Sequence, residues 1–444
     1  MRTTTPRRLP AALAAACALA LTATACGSSD GESAGASAKD VRAALKKGGT
    51  VTVWTWEPTL KKAAADFEKK YPGVNVKLVN AGTGDKQYTA LQNAMSAGSG
   101  APDVAQIEYY ALGQFALGKS VEDLAAYGAE KYGDSFSKGP WSAVRHGKAI
   151  SALPMDSGPM ALFYNKKVFD KHHIDVPRTW DEYVEAARKL HKADPDTYIT
   201  ADTGDAGTTT SLIWQAGGRP YRTKGTEVNV GFDDAGTRTY AKTWQRLLDK
   251  DLVSPVTTWT DDWYKGLGDG SIATLTMGAW MPANFTSNVK SAAGDWRVAP
   301  LPQWKKGDSA SAENGGSSLA IPKAAKNKQL AYAFLQYAAT GQGATSRIDS
   351  GAFPATRKHL ESAAFLETKF PYFGGQKANK VFAESARRVG ADWSYLPYQV
   401  YANSVFKDTV GKAYVSDTPL SKGFAAWEKK SVDHGKDQGF TVNE

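Results

Sequence analysis

Three short runs place large aromatic side chains beside polar groups at the points where an apolar segment stops. "GTVTVWTWE" ends in Trp54, Trp56 and Glu57, "VAQIEY" in Glu108 and Tyr109, and "TLTMGAWMPANF" turns at Gly278, Ala279 and Trp280. Such a set suits a small ligand with apolar faces and polar edges, a sugar among them. Flat rings cover the C–H faces of a sugar, while carboxylates and amides meet its belt of hydroxyls; small-ligand pockets are mostly apolar with a few placed polar groups. Each residue also has a purely structural explanation. Alternation puts Trp54 and Trp56 on one face of a strand, so Trp56 with Glu57 either reaches a cleft or belongs to a core. Glu108 is an acceptor for hydroxyls or an exposed loop charge. Trp280 is a ligand platform or a packing residue between helices.

Further candidates follow the same positional rule, that ligands of open α/β sheets lie beyond the carboxyl ends of strands. In "AGTGDKQ", Thr83, Asp85 and Gln87 offer a hydroxyl, a carboxylate and an amide at a helix start, where plain capping by Thr83 or Asp85 is the alternative. Asp156 sits between Pro154 and Gly158, where it bonds a ligand or holds a turn. Trp259 and Trp263, in "TTWTDDWYKGL", occupy a loop and an early helix, and at least one is expected to face a cleft. Gly315 and Gly316 allow close backbone approach or make a turn. Arg347 forks onto adjacent hydroxyls or makes a salt bridge. Trp304, Trp393 and Tyr395 complete the set, and Trp214 reads as a helix-face core residue.

Other chemistries find less support. A glycosidase needs two carboxylates flanking a bond; Glu57, Glu108 and Asp156 exist, but nothing singles out a proton donor. No GxSxG, HExxH, GxGxxG or GxxxxGK[ST] occurs, and the adjacent pair His172-His173 is poorly spaced for a metal. No metal, cofactor or catalytic residue is expected. A polyamine would call for more convergent acids, and a phosphate for a Gly/Ser nest at a helix N-terminus.

The ends and composition set limits. Arg2, Arg7 and Arg8 precede "LPAALAAACALALTATA" and then Cys26, the layout of a secretory signal over residues 1–25. "ATAC" resembles a bacterial lipobox, which makes Cys26 the expected lipidated first residue and "GSSDGESAGASAKD" part of a flexible tether over 26–47. Cleavage there removes three arginines and leaves 51 basic against 45 acidic residues, a net charge of +6. No basic block resembles a nucleic-acid arm, so no nucleic-acid partner is expected.

The elements that must position these residues follow from periodicity. "GTVTVWTWE", "VNVKLVNAG" and "VAQIEY" read as strands, separated by helices in "PTLKKAAADFEKKYPG" and "DKQYTALQNAMSAGSGAPD". That alternation signals a parallel α/β sheet. Strand-like runs recur on both sides of Pro154–Pro159, in "GSIATLTMGAW", "WRVAPLP" and "SSLAIPK", with helices in "TWDEYVEAARKLHKADP", "DDAGTRTYAKTWQRLLDKDL" and "NKQLAYAFLQYAATGQG". From about Lys377 the chain reads as helical.

Taken in order, "GTVTVWTWE", "FEKKYPGVNVKL", "APDVAQI", "LPMDSGPMALFYNKKVF", "VPRTWDEYVEAARKL", "GDGSIATLTMGAW" and "GGSSLAIPKAAKNKQLAYAFLQYAATGQG" resemble the extracellular solute-binding proteins of bacterial ABC importers, in the carbohydrate-binding branch related to maltose-binding protein. The resemblance covers residues 48 to 440. It implies a type II periplasmic-binding-protein-like fold, with two discontinuous α/β lobes joined by a crossing-strand hinge. The expected lobes are 48–155 with about 312–355, and 156–311 with about 356–444. It further implies a mono- or oligosaccharide in the interlobe cleft and Trp280 as the family's aromatic after "GxxAxxxxGxW". The expected partners are ABC permease membrane subunits and the membrane itself, through lipid on Cys26, with the binding protein a monomer on the extracellular face.

Overall fold

The structure is a computed structural model that describes residues 38–390 and 393–443. The expected signal segment and Cys26 lie outside the described residues. The expected tether does not extend to residue 47: Ala38–Lys47 is a helix, α1, which lays Val41, Ala44 and Leu45 against the first core.

Alternation in "GTVTVW" becomes strand β1 (Gly49–Trp54), with Val51 and Val53 buried. Helix α2 (Leu60–Lys70) buries Leu60, Ala63, Ala64 and Phe67, a stripe at helical spacing. Strand β2 (Val74–Val79) returns parallel to β1, Gly49 opposite Val74. Helix α3 (Asp85–Ser96) and strand β3 (Val104–Glu108) repeat the unit, and β3 pairs parallel with β1 on its other side. Helix α4 (Tyr109–Leu117) starts directly from the end of β3. The sheet is completed from far along the chain. Ser317–Ala320 pairs antiparallel with β3, Ser317 opposite Glu108, and Leu153–Pro154 pairs antiparallel with Ser317–Ala320.

A second sheet centres on Met160–Asn165, flanked antiparallel by Thr274–Gly278 and Trp296–Ala299. The buried side chains fall into groups that follow these sheets. Two groups draw on residues between Val51 and Met155 and between Leu319 and Ala355; two others run from Met160 to Ala312 and from Phe353 to Val432. Beyond Lys377 the chain is mainly helical, ending in a strand at Thr441–Asn443 that pairs with Glu227–Val230, a pairing that periodicity did not signal.

The chain passes between the two sheets on paired segments. Met155 N–H donates to the Ser317 carbonyl (2.8 Å), Asn314 N–H to Gly158 (2.8 Å) and Met160 N–H to Ala312 (3.0 Å). The Glu313 carboxylate accepts from Ser157 Oγ (2.8 Å) and Gly158 N–H (2.5 Å). Residues 155–160 and 312–317 therefore form one antiparallel ribbon. A third passage lies near Phe353 and Ala355, whose side chains belong to different cores.

Candidate functional site

The candidate residues gather where β1, β3 and Thr274–Gly278 end, around that ribbon. The strand Thr274–Gly278 stops at a glycine for a steric reason. A Cβ on Gly278 would lie 2.5 Å from Trp280 Nε1 and 2.6 Å from the Asn314 carbonyl oxygen. Its absence lets the indole edge meet the ribbon, and Trp280 Nε1–H donates to Asn314 O at 2.8 Å. Gly315, at φ +78°, leaves space beside the same indole, and Gly316, at φ +99°, lies against the ring of Tyr109. Trp280 stays half-buried, and Trp259 packs on it with centroids 5.8 Å apart and planes at 29°.

The acids come from the strand ends. Glu108 closes β3; its Oε2 accepts from Tyr88 Oη at 2.9 Å, and its N–H donates to the same hydroxyl at 3.0 Å. Desolvation raises its carboxyl to about 7, opposed by hydrogen bonds from Tyr88 and Tyr110. Asp156 lies on the ribbon and accepts from Ser317 N–H at 2.6 Å. Burial raises it to about 7 as well, opposed by the Arg347 guanidinium and assisted by Glu57 and Glu108. Tyr109 Oη donates to the Asp156 carbonyl at 2.6 Å, which ties α4 to the first crossing. Glu57 is half-buried, and its Oε1 accepts from Thr59 N–H at 3.0 Å, so it also steadies the turn into α2. Trp56 is half-buried and edge-on to Tyr88 at 6.2 Å.

Several other expected residues have contacts or exposures that sequence alone does not give. Gln87 is fully buried and donates its amide to the Gln106 carbonyl at 2.7 Å, fastening α3 to β3. Trp263 is fully buried, because the face Trp263, Gly266, Leu267 of its helix turns inward. Arg347 is only 1 % exposed and donates to the Met155 carbonyl at 2.6 Å, so it braces the ribbon from inside the protein. Thr83 and Asp85 are exposed, and neither caps α3, whose first turn begins at Gly84 with φ +57°. Trp304 packs on Trp180 at 5.2 Å.

Trp393 and Tyr395 line a cavity of about 360 Å³ together with Trp214, with Tyr109 at the end of β3 and with Glu313 of the ribbon, so it adjoins the residues above. None of Trp56, Glu57, Asp85, Trp259 or Trp280 lines it. Trp214 stacks on Trp393 at 5.1 Å and 10°, so its aromatic face is occupied as a packing residue's would be.

Gln106 is the residue that sequence reading missed. Its Oε1 accepts from Thr55 Oγ1 (2.6 Å) and from the N–H groups of Trp56 and Glu57 (both 3.2 Å), while its Nε2 donates to Ser317 Oγ (3.1 Å). One buried amide thus positions the end of β1 against the ribbon. The available signal was a lone amide between Ala105 and Ile107 in an otherwise apolar strand.

A two-sheet binding fold with a site at the chain crossings is a recognised class. Residues 54–345 match the sequence model of the bacterial extracellular solute-binding protein family, and the chain belongs to that family. It is 46% identical to an ABC transporter associated binding protein from B. animalis subsp. lactis Bl-04, solved in complex with β-1,6-galactobiose; the match covers 89% of this chain and 99% of that one, with a TM-score of 0.80. The galacto-N-biose-/lacto-N-biose I-binding protein of Bifidobacterium longum, solved with lacto-N-biose, is 27% identical over 89% of this chain and 99% of its own, also with a TM-score of 0.80. The arabinooligosaccharide-binding protein of Halalkalibacterium halodurans is 26% identical, over 64% of this chain and 65% of that relative's length. The fold is accordingly the two-lobed, type II periplasmic-binding-protein fold. Among the described residues no helix is long and apolar enough to cross a membrane.

Proposed function

We propose that this chain is the sugar-capturing component of an ABC importer and that it takes a small galactose-containing oligosaccharide in the cleft between its lobes. The single observation that carries the reading is Trp280: an indole at the end of a strand, half-buried, with its N–H bonded to the Asn314 carbonyl of the ribbon. One ring face is thereby held at the junction of the lobes, with Glu108 and Asp156 as hydroxyl acceptors. The B. animalis relative, solved with β-1,6-galactobiose, directs the choice of ligand.

The lobes are 48–155 with about 312–355, and 156–311 with about 356–444. Ligand touching both favours the closed arrangement by its differential affinity for it, and the ribbon 155–160/312–317 is the hinge. The closed form docks on permease subunits, and lipid on Cys26 keeps the protein at the extracellular face of the membrane. Binding involves no turnover.

Isothermal calorimetry of the full chain against β-1,6-galactobiose, lactose, arabinobiose and maltose tests this. The expected result is saturable binding of at least one galactoside, with the sugar recovered intact. Hydrolysis products, or no heat with any of the four, would overturn it.

A further inference from the structure

The first sheet has two ends. One carries Glu57, Glu108 and Tyr109; the other, where β1 and β2 begin, is built on two helix termini. Helix α1 stops at Lys47 and α2 at Lys70. Just beyond them the backbones of Gly48 and Gly73 touch. A Cβ on Gly48, at φ +73°, would collide with the Gly73 carbonyl oxygen, and Gly49 N–H donates to that oxygen at 2.9 Å. This contact brings together the last-turn cations of both helices, Lys46 and Lys47 with Lys69 and Lys70, all of them exposed. Arg42, a turn earlier on α1, is exposed as well. Exposed Lys326 reaches the same edge from far along the chain: its neighbour Asn327, the N-cap of the helix Lys328–Thr340, donates its amide to the Thr50 carbonyl of β1 at 3.0 Å.

Among the described residues the salt bridges nearby engage other lysines, Lys62 with Asp66 and Lys323 and Lys328 with Glu122, and none of the cations at this edge has an ion-pair partner. The acids of α2 are occupied: Asp66 pairs with Lys62 at 2.9 Å, and Glu68 accepts from Val76 N–H at 2.7 Å. Helix α1 adds Asp40 as its single acid. A cation in the last turn of a helix is ordinary, because it complements the helix dipole, but that effect is confined to the last turn. It does not account for Arg42, nor for Lys326, which stands at the opposite, positive end of its helix.

The place of this edge relative to the expected anchor gives the cluster an occupant. The chain from Cys26 to Ser37 can span at most about 40 Å, and α1 adds about 15 Å. Lipid on Cys26 therefore keeps the basic edge within that reach of a bilayer. We propose that this edge of the first lobe is a docking surface for the anionic headgroups of the membrane, holding the tethered protein with its cleft turned away from the bilayer. This rests on the reading of Cys26 as lipidated. Strand β1 runs from this edge to Trp54 beside the site, so a protein lying on the membrane at Gly48 presents the site outward, toward arriving sugar. Each cation near an anionic surface contributes about fivefold to partitioning, and the attraction fades within a Debye length of about 8 Å at physiological salt. The contact is reversible, and the protein leaves it to turn its cleft to the permease.

The test uses the full chain with Cys26→Ser, so that no lipid contributes. It is compared with the same chain carrying Lys46→Gln/Lys47→Gln, Lys69→Gln/Lys70→Gln, or, on the second lobe, the exposed pair Lys305→Gln/Lys306→Gln. Each is sedimented with vesicles of phosphatidylcholine alone and of equimolar phosphatidylcholine and phosphatidylglycerol, with melting temperature and sugar affinity measured in parallel. The leader is common to all, so the comparison reads the lysines. Binding to the mixed vesicles is expected to exceed binding to phosphatidylcholine and to fall by about tenfold or more in each of the first two variants, with folding and sugar affinity retained. Lys305→Gln/Lys306→Gln should bind like the parent. Equal binding by every chain overturns the inference; so does an equal loss in the second-lobe variant, which marks net charge alone. Stronger displacement by inorganic phosphate than by chloride at matched ionic strength marks an anion pocket instead of a bilayer surface, and overturns it too. The anchor is read separately, from the mass of the mature protein recovered from cells. Absence of lipid overturns the anchor reading and the orientation with it, whereas lipid on Cys26 together with undiminished vesicle binding in the lysine variants overturns this inference alone.

Discussion

The indole of Trp280 and the backbone carbonyl of Asn314 are joined by a 2.8 Å hydrogen bond, so the aromatic that ends a strand of one sheet is fixed to the second crossing. Position and orientation of the ring are set before any ligand arrives, which lowers the ordering cost of binding. Trp280→Ala is expected to cost about 2 kcal/mol or more of sugar affinity, the scale of a buried aromatic anchor. Its effect on folding should be about 1–2 kcal/mol, from one hydrogen bond and partial burial. Trp280→Phe keeps a ring but not the bond and should fall between. Calorimetry with thermal melting separates the two effects; a large fall in melting temperature with unchanged affinity would place Trp280 in the core.

Gly316 cannot carry a side chain without moving Tyr109. A Cβ there would lie 2.6 Å from Tyr109 Cε2, and φ is +99°. Gly316→Ala should destabilise the protein by about 1–3 kcal/mol and also weaken sugar binding, because Tyr109 holds the carbonyl of Asp156. Urea midpoints and binding isotherms measure both. Retention of full stability would show that Tyr109 repacks freely.

Arg347 is a charge inside the protein, bonded to Met155 O and close enough to Asp156 to oppose its raised pKa. Arg347→Ala leaves Asp156 without that cation and the Met155 carbonyl without its donor. A loss of about 3 kcal/mol or more is expected, read from denaturant unfolding, with sugar affinity of the folded variant less affected than in Trp280→Ala. The reverse pattern would return Arg347 to the ligand.

Four buried acids, Glu108, Asp156, Asp202 and Glu313, are raised by desolvation to about 7. Their ordinary values are 3.8 for aspartate and 4.5 for glutamate. Between those values and about 7 the folded chain keeps protons that the unfolded chain has released. Stability is therefore highest near the ordinary carboxylate range and falls as pH rises toward about 7, levelling above it. The melting temperature of the ligand-free protein should drop by several degrees from pH 5 to pH 8. Asp202, which accepts from Trp244 Nε1 at 2.8 Å and Gly204 N–H at 2.9 Å, provides a control. Asp202→Asn should flatten its share of the slope and leave sugar affinity unchanged. A profile that rises toward pH 8 would contradict the assignment.

The strands and helices of the first βαβαβ run were legible because β1 and the start of β2 alternate with period two, α2 carries a stripe at helical spacing, and β3 is a short, mainly apolar run. Trp280 was legible because its place after a strand end is a one-dimensional fact. The burial of Gln87, Trp263 and Arg347 was not legible, because whether a polar or aromatic residue faces in or out depends on what packs against its helix. Gln87 meets Gln106, and Arg347 meets Met155, 192 positions away. Trp393 and Tyr395 meet Tyr109 and Glu313 around one cavity, a juxtaposition that spacing does not encode.

The antiparallel pairing of β3 with Ser317–Ala320 has a consequence for how the chain comes into being. Gln106 waits 211 residues for its partner Ser317, and until then β3 is an open edge and the first sheet is unfinished. Loop closure over such a distance is slow and must precede the contacts that reward it. A nascent chain of this design stays incompletely folded until more than 300 residues have emerged. Were the expected leader over residues 1–25 to direct export, such a delay would hold the chain open for threading through a membrane, and the two lobes would complete themselves on the far side.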